Sequence, residues 1–266
     1  MRSILWVSAG MLSAVPVAAQ AQEREYCPAR PGLGTPACTT APGRVSIEIG
    51  IADWTHDDTP DARSDAFLSG DTLVRIGVSD TVEAQFGWTA FGGVRTRDTA
   101  TGVVTTSRGV GDIYAAFSAN LANPDGSGFS IAVQPFATLP VGGVTLGAGA
   151  WTAGIVLPMS YELDDRISLQ FTGKVEAAAD RDRSGRHLAY SGTAGIGYSL
   201  SETLAATVEV QAARDNDPSG RSTQWLGAAS LGWMRSKRLQ LDIGANFGLN
   251  RNAPDAQVYF GISRRL

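Results

Sequence analysis

Histidine is almost missing from this chain of 266 residues, which has only two. His56 stands in a polar stretch and His187 at the rim of an alternating segment. Ser191, the serine nearest to His187 on its parity, would face inward, and no G-x-S-x-G occurs. A Ser/His nucleophile therefore has no support, and no enzyme is expected. Positive charge is also in short supply: 22 Lys and Arg stand against 26 Asp and Glu, a net charge of −4, which speaks against nucleic acid as a partner. Beyond the first residues no apolar run is long enough for a membrane helix. The aspartates of HDDTPDARSD lack the spacing of an EF-hand loop, and the glycines of GVGDIY and GAGAW lead into no helical pattern. Neither a metal nor a cofactor is expected.

Cysteine is scarce as well, with two residues in the whole chain, Cys27 and Cys38. Both lie in a Pro/Gly-rich stretch that precedes any patterned segment, and too few ligands stand nearby for a metal site. The first residues, MRSILWVSAGMLSAVPVAAQAQ, place Arg2 before a short apolar run that ends in an A-x-A pattern. This reads as a secretory signal peptide over residues 1–21, with Gln22 first in the mature chain. Its removal takes away one positive charge, so −4 becomes −5. Export favours a Cys27–Cys38 disulfide inside a periplasmic N-terminal segment, residues 22–42.

What the chain has in abundance is alternation. In TVEAQFGWTAFG, residues 81–92, Val82, Ala84, Phe86, Trp88 and Ala90 share one parity, and Glu83, Gln85, Gly87 and Thr89 the other. Successive strand side chains point to opposite faces, so the segment has one apolar and one polar side. Twelve such segments follow one another from residue 43 to the end, and Gly, with 31 residues, sits within them as often as between them. The connections alternate in length: Ser79-Asp80, Asp164-Asp165, Ser201-Glu202 and Ser236-Lys237 are tight, whereas HDDTPDARSD, GGVRTRDTATGVVTTSR, VGGVTLGAGA, ADRDRSGR, RDNDPSG and NRNAPD are long and mostly polar. Short turns at one end and long loops at the other describe an all-β, up-and-down antiparallel transmembrane β-barrel of about 12 strands over residues 43–266. A bilayer leaves no water for unpaired backbone groups, so such a sheet must close. The apolar parity then faces outer-membrane lipid and lipopolysaccharide, and Trp54, Trp88, Tyr161, Trp225, Trp233 and Tyr259 fit interfacial girdles. The last strand, VYFGISRRL, resembles the terminal signal of such barrels, which implies the barrel-assembly machinery as a partner, though it ends in Leu266 rather than an aromatic residue.

Several stretches carry a family likeness: CPARPGLGTPACTTAPGR at 27–44, ADWT at 52–55, EAQFGWTAFG at 83–92, GVGDIY at 109–114 and NPDGSGFSIAVQPFATLPVG at 123–142. They resemble a bacterial outer-membrane transporter family once labelled as meta-pathway phenol-degradation proteins. The resemblance implies a barrel that moves small, often hydrophobic or aromatic solutes, and no catalytic residue.

Twelve tilted strands give a backbone radius of about 12 Å, so any passage is narrow, and loops or the Cys27 to Cys38 stretch can plug it. The polar parity places Glu48, Arg75, Glu83, Gln85, Asp112, Lys174, Glu176, Glu209 and Asp242 as lumen-lining candidates. Acids outnumber bases among them, so they either tune ion selectivity or pair across strands and fill the interior. Residues 126–161 contain no Asp, Glu, Lys or Arg, and Pro135 and Pro158 interrupt them. Proline cannot donate to a ladder, so this uncharged wall is a candidate lateral gate toward the membrane. The expected function is passive passage of a small-molecule solute, hydrophobic or aromatic. A structural or adhesive barrel with a blocked lumen and functional extracellular loops is the alternative.

Overall fold

Thirteen strands join in one antiparallel sheet in the computed structural model, which describes residues 24–266. The expected signal peptide thus lies outside the described residues. In chain order the strands are β1 (Val45–Asp58), β2 (Ala62–Gly77), β3 (Val82–Asp98), β4 (Val104–Gly109), β5 (Ile113–Ala122), β6 (Phe129–Leu139) and β7 (Thr152–Glu162). They continue as β8 (Ile167–Ala179), β9 (Arg186–Ser199), β10 (Leu204–Asp215), β11 (Ser222–Ser236), β12 (Leu239–Gly248) and β13 (Ala256–Arg265). β13 pairs back onto β1, β2 pairs with β3, and β3 passes directly to β5, so twelve strands close a ring. β4 is the extra element, paired only with the distal half of β3. Closure leaves the twelve wall strands without an open edge, as a lipid-embedded sheet requires.

The two parities of the opening segment separate as alternation predicts. Phe86 and Trp88 are 50% and 44% exposed, whereas Glu83 and Gln85 are 0% and 4% exposed. Exposed Phe117, Phe129, Leu157, Phe171, Ile196, Val208, Ile243 and Phe260 continue the apolar outer face around the ring. Tyr259 departs from the girdle expected for it. It turns inward and is buried, because Tyr259 and Phe260 are consecutive and Phe260 takes the lipid side.

Two of the expected loops are largely strand. Only residues 59–61 join β1 to β2, and GGVRTRDTATGVVTTSR forms the outer half of β3, a tight turn and β4. Backbone ladders satisfy N–H and C=O groups whatever the side chains, so a polar segment rich in Thr and Val stays extended beyond the bilayer. At the base of these extensions the side-chain parity switches. The β1–β13 register slips between Gly50 and Ala52, and Gly70 in β2 adopts φ +70°, open to glycine at little cost. Below this bulge Phe86 and Trp88 face outward, and above it Phe91, Phe67 and Trp54 do.

The Gly-rich connection carries one short helix, α1 (Gly143–Leu146). It leans over the inner side of β3, where Leu146 approaches Gly92 closely. Asp112, expected to line the lumen, stands at the rim instead. Its carboxylate accepts the N–H of Gly142 at 3.1 Å and of Ala148 at 2.8 Å, and so ties this connection down.

Candidate functional site: a lumen holding its own N-terminal segment

Residues 24–42 do not extend away from the barrel. They enter the lumen from the short-turn end, reach mid-barrel around Arg30–Gly34 and return to join β1. Arg24 and Asp80 pair across 3.5 Å at the entrance, and Thr39 N–H donates to the carbonyl of Pro124 at 2.9 Å on the way out. The Cys27–Cys38 disulfide clips the two legs together. Where the returning leg passes the wall at Gly77, a Cβ would lie 2.0 Å from the carbonyl oxygen of Ala41, so only glycine permits this approach.

Most of the acids expected in the lumen hold this segment. Glu48 accepts the backbone N–H groups of Ala29 and Arg30 at 2.9 and 3.0 Å, and Glu83 accepts that of Thr40 at 2.6 Å. Glu209 accepts those of Leu33 and Gly34, both at 2.8 Å, and Asp242 pairs with Arg30 at 3.1 Å. A turn of Pro- and Gly-rich backbone has no ladder of its own, so its N–H groups need external acceptors once buried, and carboxylates make the stronger bonds. Arg75 completes the arrangement. It donates to Glu83 at 2.9 Å, Glu48 at 3.3 Å, the Cys27 carbonyl at 2.7 Å and the Cys38 carbonyl at 3.1 Å. Its side chain is 1% exposed, and both carboxylates are 0% exposed. Gln85 extends the network from Glu83 to Gln134, which donates to the Tyr114 hydroxyl.

The remaining charged candidates, Lys174 and Glu176, pair with each other at 2.8 Å on β8. Sequence reasoning missed the apolar side of the lumen. Tyr114 and Phe136 stack with centroids 5.7 Å apart, against Ala116 and Val156, and the Lys174 ammonium lies 5.2 Å from the Phe136 ring. The signal was present in the alternation, since Phe136 shares the parity of Ser130 and Gln134 and opposes that of Phe129, Ile131 and Val133. A cavity of about 150 Å³ opens beside this patch, bordered by Pro36, Leu73, Tyr114 and Gln134. A second, of about 310 Å³, separates the segment from the opposite wall, between Pro28 and Pro36 on one side and Met159, Ser160 and Gln170 on the other.

Pro135 and Pro158 coincide with interruptions in both ladders of β6. Paired positions jump from Ala116↔Phe136 to Ala119↔Val133 toward β5, and from Ile131↔Met159 to Gln134↔Val156 toward β7. Each gap contains one proline, the residue without an N–H to give. At the long-loop rim His187 contacts Asp180 at 2.8 Å through Nδ1. Its Nε2 lies 3.0 Å from Asp215, out of line for a hydrogen bond, so the histidine clasps two neighbouring loops.

Residues 29–266 match the sequence family described as "Putative MetA-pathway of phenol degradation". Among curated proteins nothing matches. Among solved structures, the COG4313 outer membrane channel from Pseudomonas putida F1 is similar with a TM-score of 0.69 at 12% identity, over 93% of this chain and 100% of that one. The NanC porin gives 0.50 at 10% identity, over 84% and 100%. The translocator domain of the autotransporter NalP from Neisseria meningitidis gives 0.50 at 10% identity, over 85% and 90%. At these identities the likeness is one of fold, that of outer-membrane barrels.

Proposed function

We propose, from the premise that this chain belongs to the family of the MetA pathway of phenol degradation, that it is an outer-membrane channel for passive passage of small hydrophobic or aromatic solutes. The observation that carries this reading is the Tyr114–Phe136 stack with Ala116 and Val156, a buried apolar cluster on the inner side of the wall whose Tyr114 borders the 150 Å³ cavity, in a barrel whose other inward residues are mostly polar. Aromatic faces bind flat apolar molecules by offset stacking. The family's description in terms of phenol agrees with such a solute. Beside the patch, the proline-interrupted ladders of β6 supply a weak seam through which an apolar molecule would leave sideways into lipid. The test is uptake into proteoliposomes of a small aromatic compound against a sugar of similar size. Preferential uptake of the aromatic supports the reading, and equal rates refute the solute class. Replacing Pro135 and Pro158 with Val separately tests the seam, which falls if aromatic uptake is unchanged.

One observation favours the second reading, a structural or adhesive barrel with a closed lumen. The N-terminal segment occupies the middle of the pore and is anchored by four carboxylates. Planar-bilayer recordings separate the two, because a sealed barrel gives no defined conductance steps.

A further inference from the structure

Above the bulge, β2, β3 and β4 carry a row of arginines on the outer face of the barrel. Residues opposite one another in an antiparallel pair share a face. The register sets Arg63 against Arg97 and Val104, Asp65 against Arg95 and Thr106, and Phe67 against Gly93 and Arg108. Exposed Phe67 and Phe91 fix that face as the outward one, and Arg63, Arg95, Arg97 and Arg108 are exposed on it. The acids on the same face are already engaged. Asp58 pairs with Arg63, and Asp65 with His56. Of the nearby acids off this face, Asp98 caps the turn through Thr101, and Asp61 stands at the β1–β2 tip. Among the described residues Arg95, Arg97 and Arg108 form no ion pair, an unusual concentration of unmatched positive charge on a chain of net charge −4.

Height above the membrane decides what such a row would meet. At about 3.3 Å per residue and a tilt of about 40°, Arg108, level with Gly93, stands roughly 5 Å above the Phe91 ring, Arg95 roughly 10 Å and Arg97 roughly 15 Å. A phospholipid headgroup layer is only about 5 to 8 Å thick. The upper two arginines therefore overtop it, whereas a phosphorylated saccharide headgroup reaches all three. Guanidinium groups bind phosphate oxygens in pairs, which suits them to this role better than lysine.

We propose that Arg95, Arg97 and Arg108, with Phe91 beneath them and Phe67 level with Arg108, form a docking site for the phosphorylated glycolipid of the outer leaflet, lipopolysaccharide. The glycolipid's acyl chains lie along the aromatic pair, and its phosphates take the three free guanidinium groups. The site rests on the outer-membrane placement and is independent of what the lumen conducts.

Purified full-length protein in detergent is incubated with lipopolysaccharide in the presence of EDTA, which removes bridging cations, and bound glycolipid is quantified by native mass spectrometry. The variant R95Q/R97Q/R108Q is expected to retain at least about tenfold less lipopolysaccharide than the unaltered protein, while binding of phosphatidylglycerol stays the same. The variant R235Q/K237Q, at the short-turn end, is expected to behave like the unaltered protein. Heat-modifiable gel migration confirms folding of each variant, and single substitutions replace the triple variant if it fails. Equal retention by the arginine variants would overturn the proposal. So would a parallel loss of phosphatidylglycerol, or equal binding of enzymatically dephosphorylated lipopolysaccharide.

Discussion

Replacing Arg75 with Met tests whether the N-terminal segment is held by a few buried charges. The guanidinium serves two carboxylates and two carbonyls at once, and all three charged side chains are sealed from water. Removing one partner from a buried ion pair costs about 3 to 5 kcal/mol, most of it for the charge left behind. The barrel ladders are untouched by the change. What excludes water from Glu48 and Glu83 is the segment itself, so the easiest relief is for the segment to leave and let solvent in. Docking should weaken by roughly two to four powers of ten at about 1.4 kcal/mol per decade. Single-channel recordings should show larger or more frequent openings than the unaltered protein, and trypsin should cut the released chain after Arg24, since the bond after Arg30 is closed to it by Pro31. A variant that migrates as a folded barrel yet conducts like the original and resists trypsin would refute the reasoning. The companion variant E48Q/R75M/E83Q removes both signs of charge together and should restore much of the docking, because a matched deletion leaves no buried charge unpaired.

Three further outcomes follow from the same geometry. The Cys27–Cys38 link, with a separation of 11 residues, restricts the free chain by about 3 kcal/mol in the loop-entropy account, so C27S/C38S should open more often in bilayers, and reductant should reproduce the effect on the unaltered protein. Phe136→Ala should lower uptake of small aromatic solutes several-fold and leave potassium conductance almost unchanged; a parallel fall in both would show that the ring only shapes the pore. The Asp217 carboxylate, in the loop between β10 and β11, accepts from the Ser219 hydroxyl and N–H and the Arg181 N–H, which hold its pKa down to about 2. A depressed carboxylate contributes fully above its usual range near 4 and loses that contribution as pH falls toward 2. Once the intrinsic pH dependence of amide exchange is divided out, exchange at Ser219 and Arg181 should therefore be flat from about pH 7 to 5 and rise between about 4 and 2. An earlier rise would assign the loop's order to other groups.

Strand periodicity was legible because lipid imposes it: an outward residue has only hydrocarbon to touch, so Phe86, Phe117, Ile196 and Phe260 cannot vary their character freely. The interior imposes no such rule. Lumen residues meet water, one another or the N-terminal segment, and side-chain type alone does not tell which. Glu209 and Glu176 share parity and charge, yet one accepts two backbone N–H groups of the segment and the other pairs with its neighbour Lys174. Tyr259 was misplaced because an aromatic near a strand end satisfies a girdle and a lumen contact equally well. Its partner there, the Arg30 guanidinium 5.4 Å from the ring, lies 229 positions away in the chain. The polar strand extensions were read as loops because hydropathy reports burial, and the upper halves of β2 and β3 are extended without being buried.

The anchors of the segment are unevenly distributed, and that asymmetry bears on how anything would pass. Carboxylate contacts come from β1, β3, β10 and β12, whereas toward β6 and β7 the segment faces the uncharged wall across the 310 Å³ cavity. The charged residues bordering that cavity, Glu25, Asp125 and Glu162, lie at its short-turn end, so a charged solute finds no fixed charge on the stretch of β6 and β7 beyond them. An apolar solute loses least there, because it displaces water from prolines and Met159 rather than breaking a charge-assisted bond. The segment therefore need not leave for an apolar molecule to move past it. It is bonded to the wall as far round as Asn120 on β5 and Thr172 on β8, and the β6–β7 side between them carries both Phe136 of the aromatic stack and the proline-weakened seam of β6.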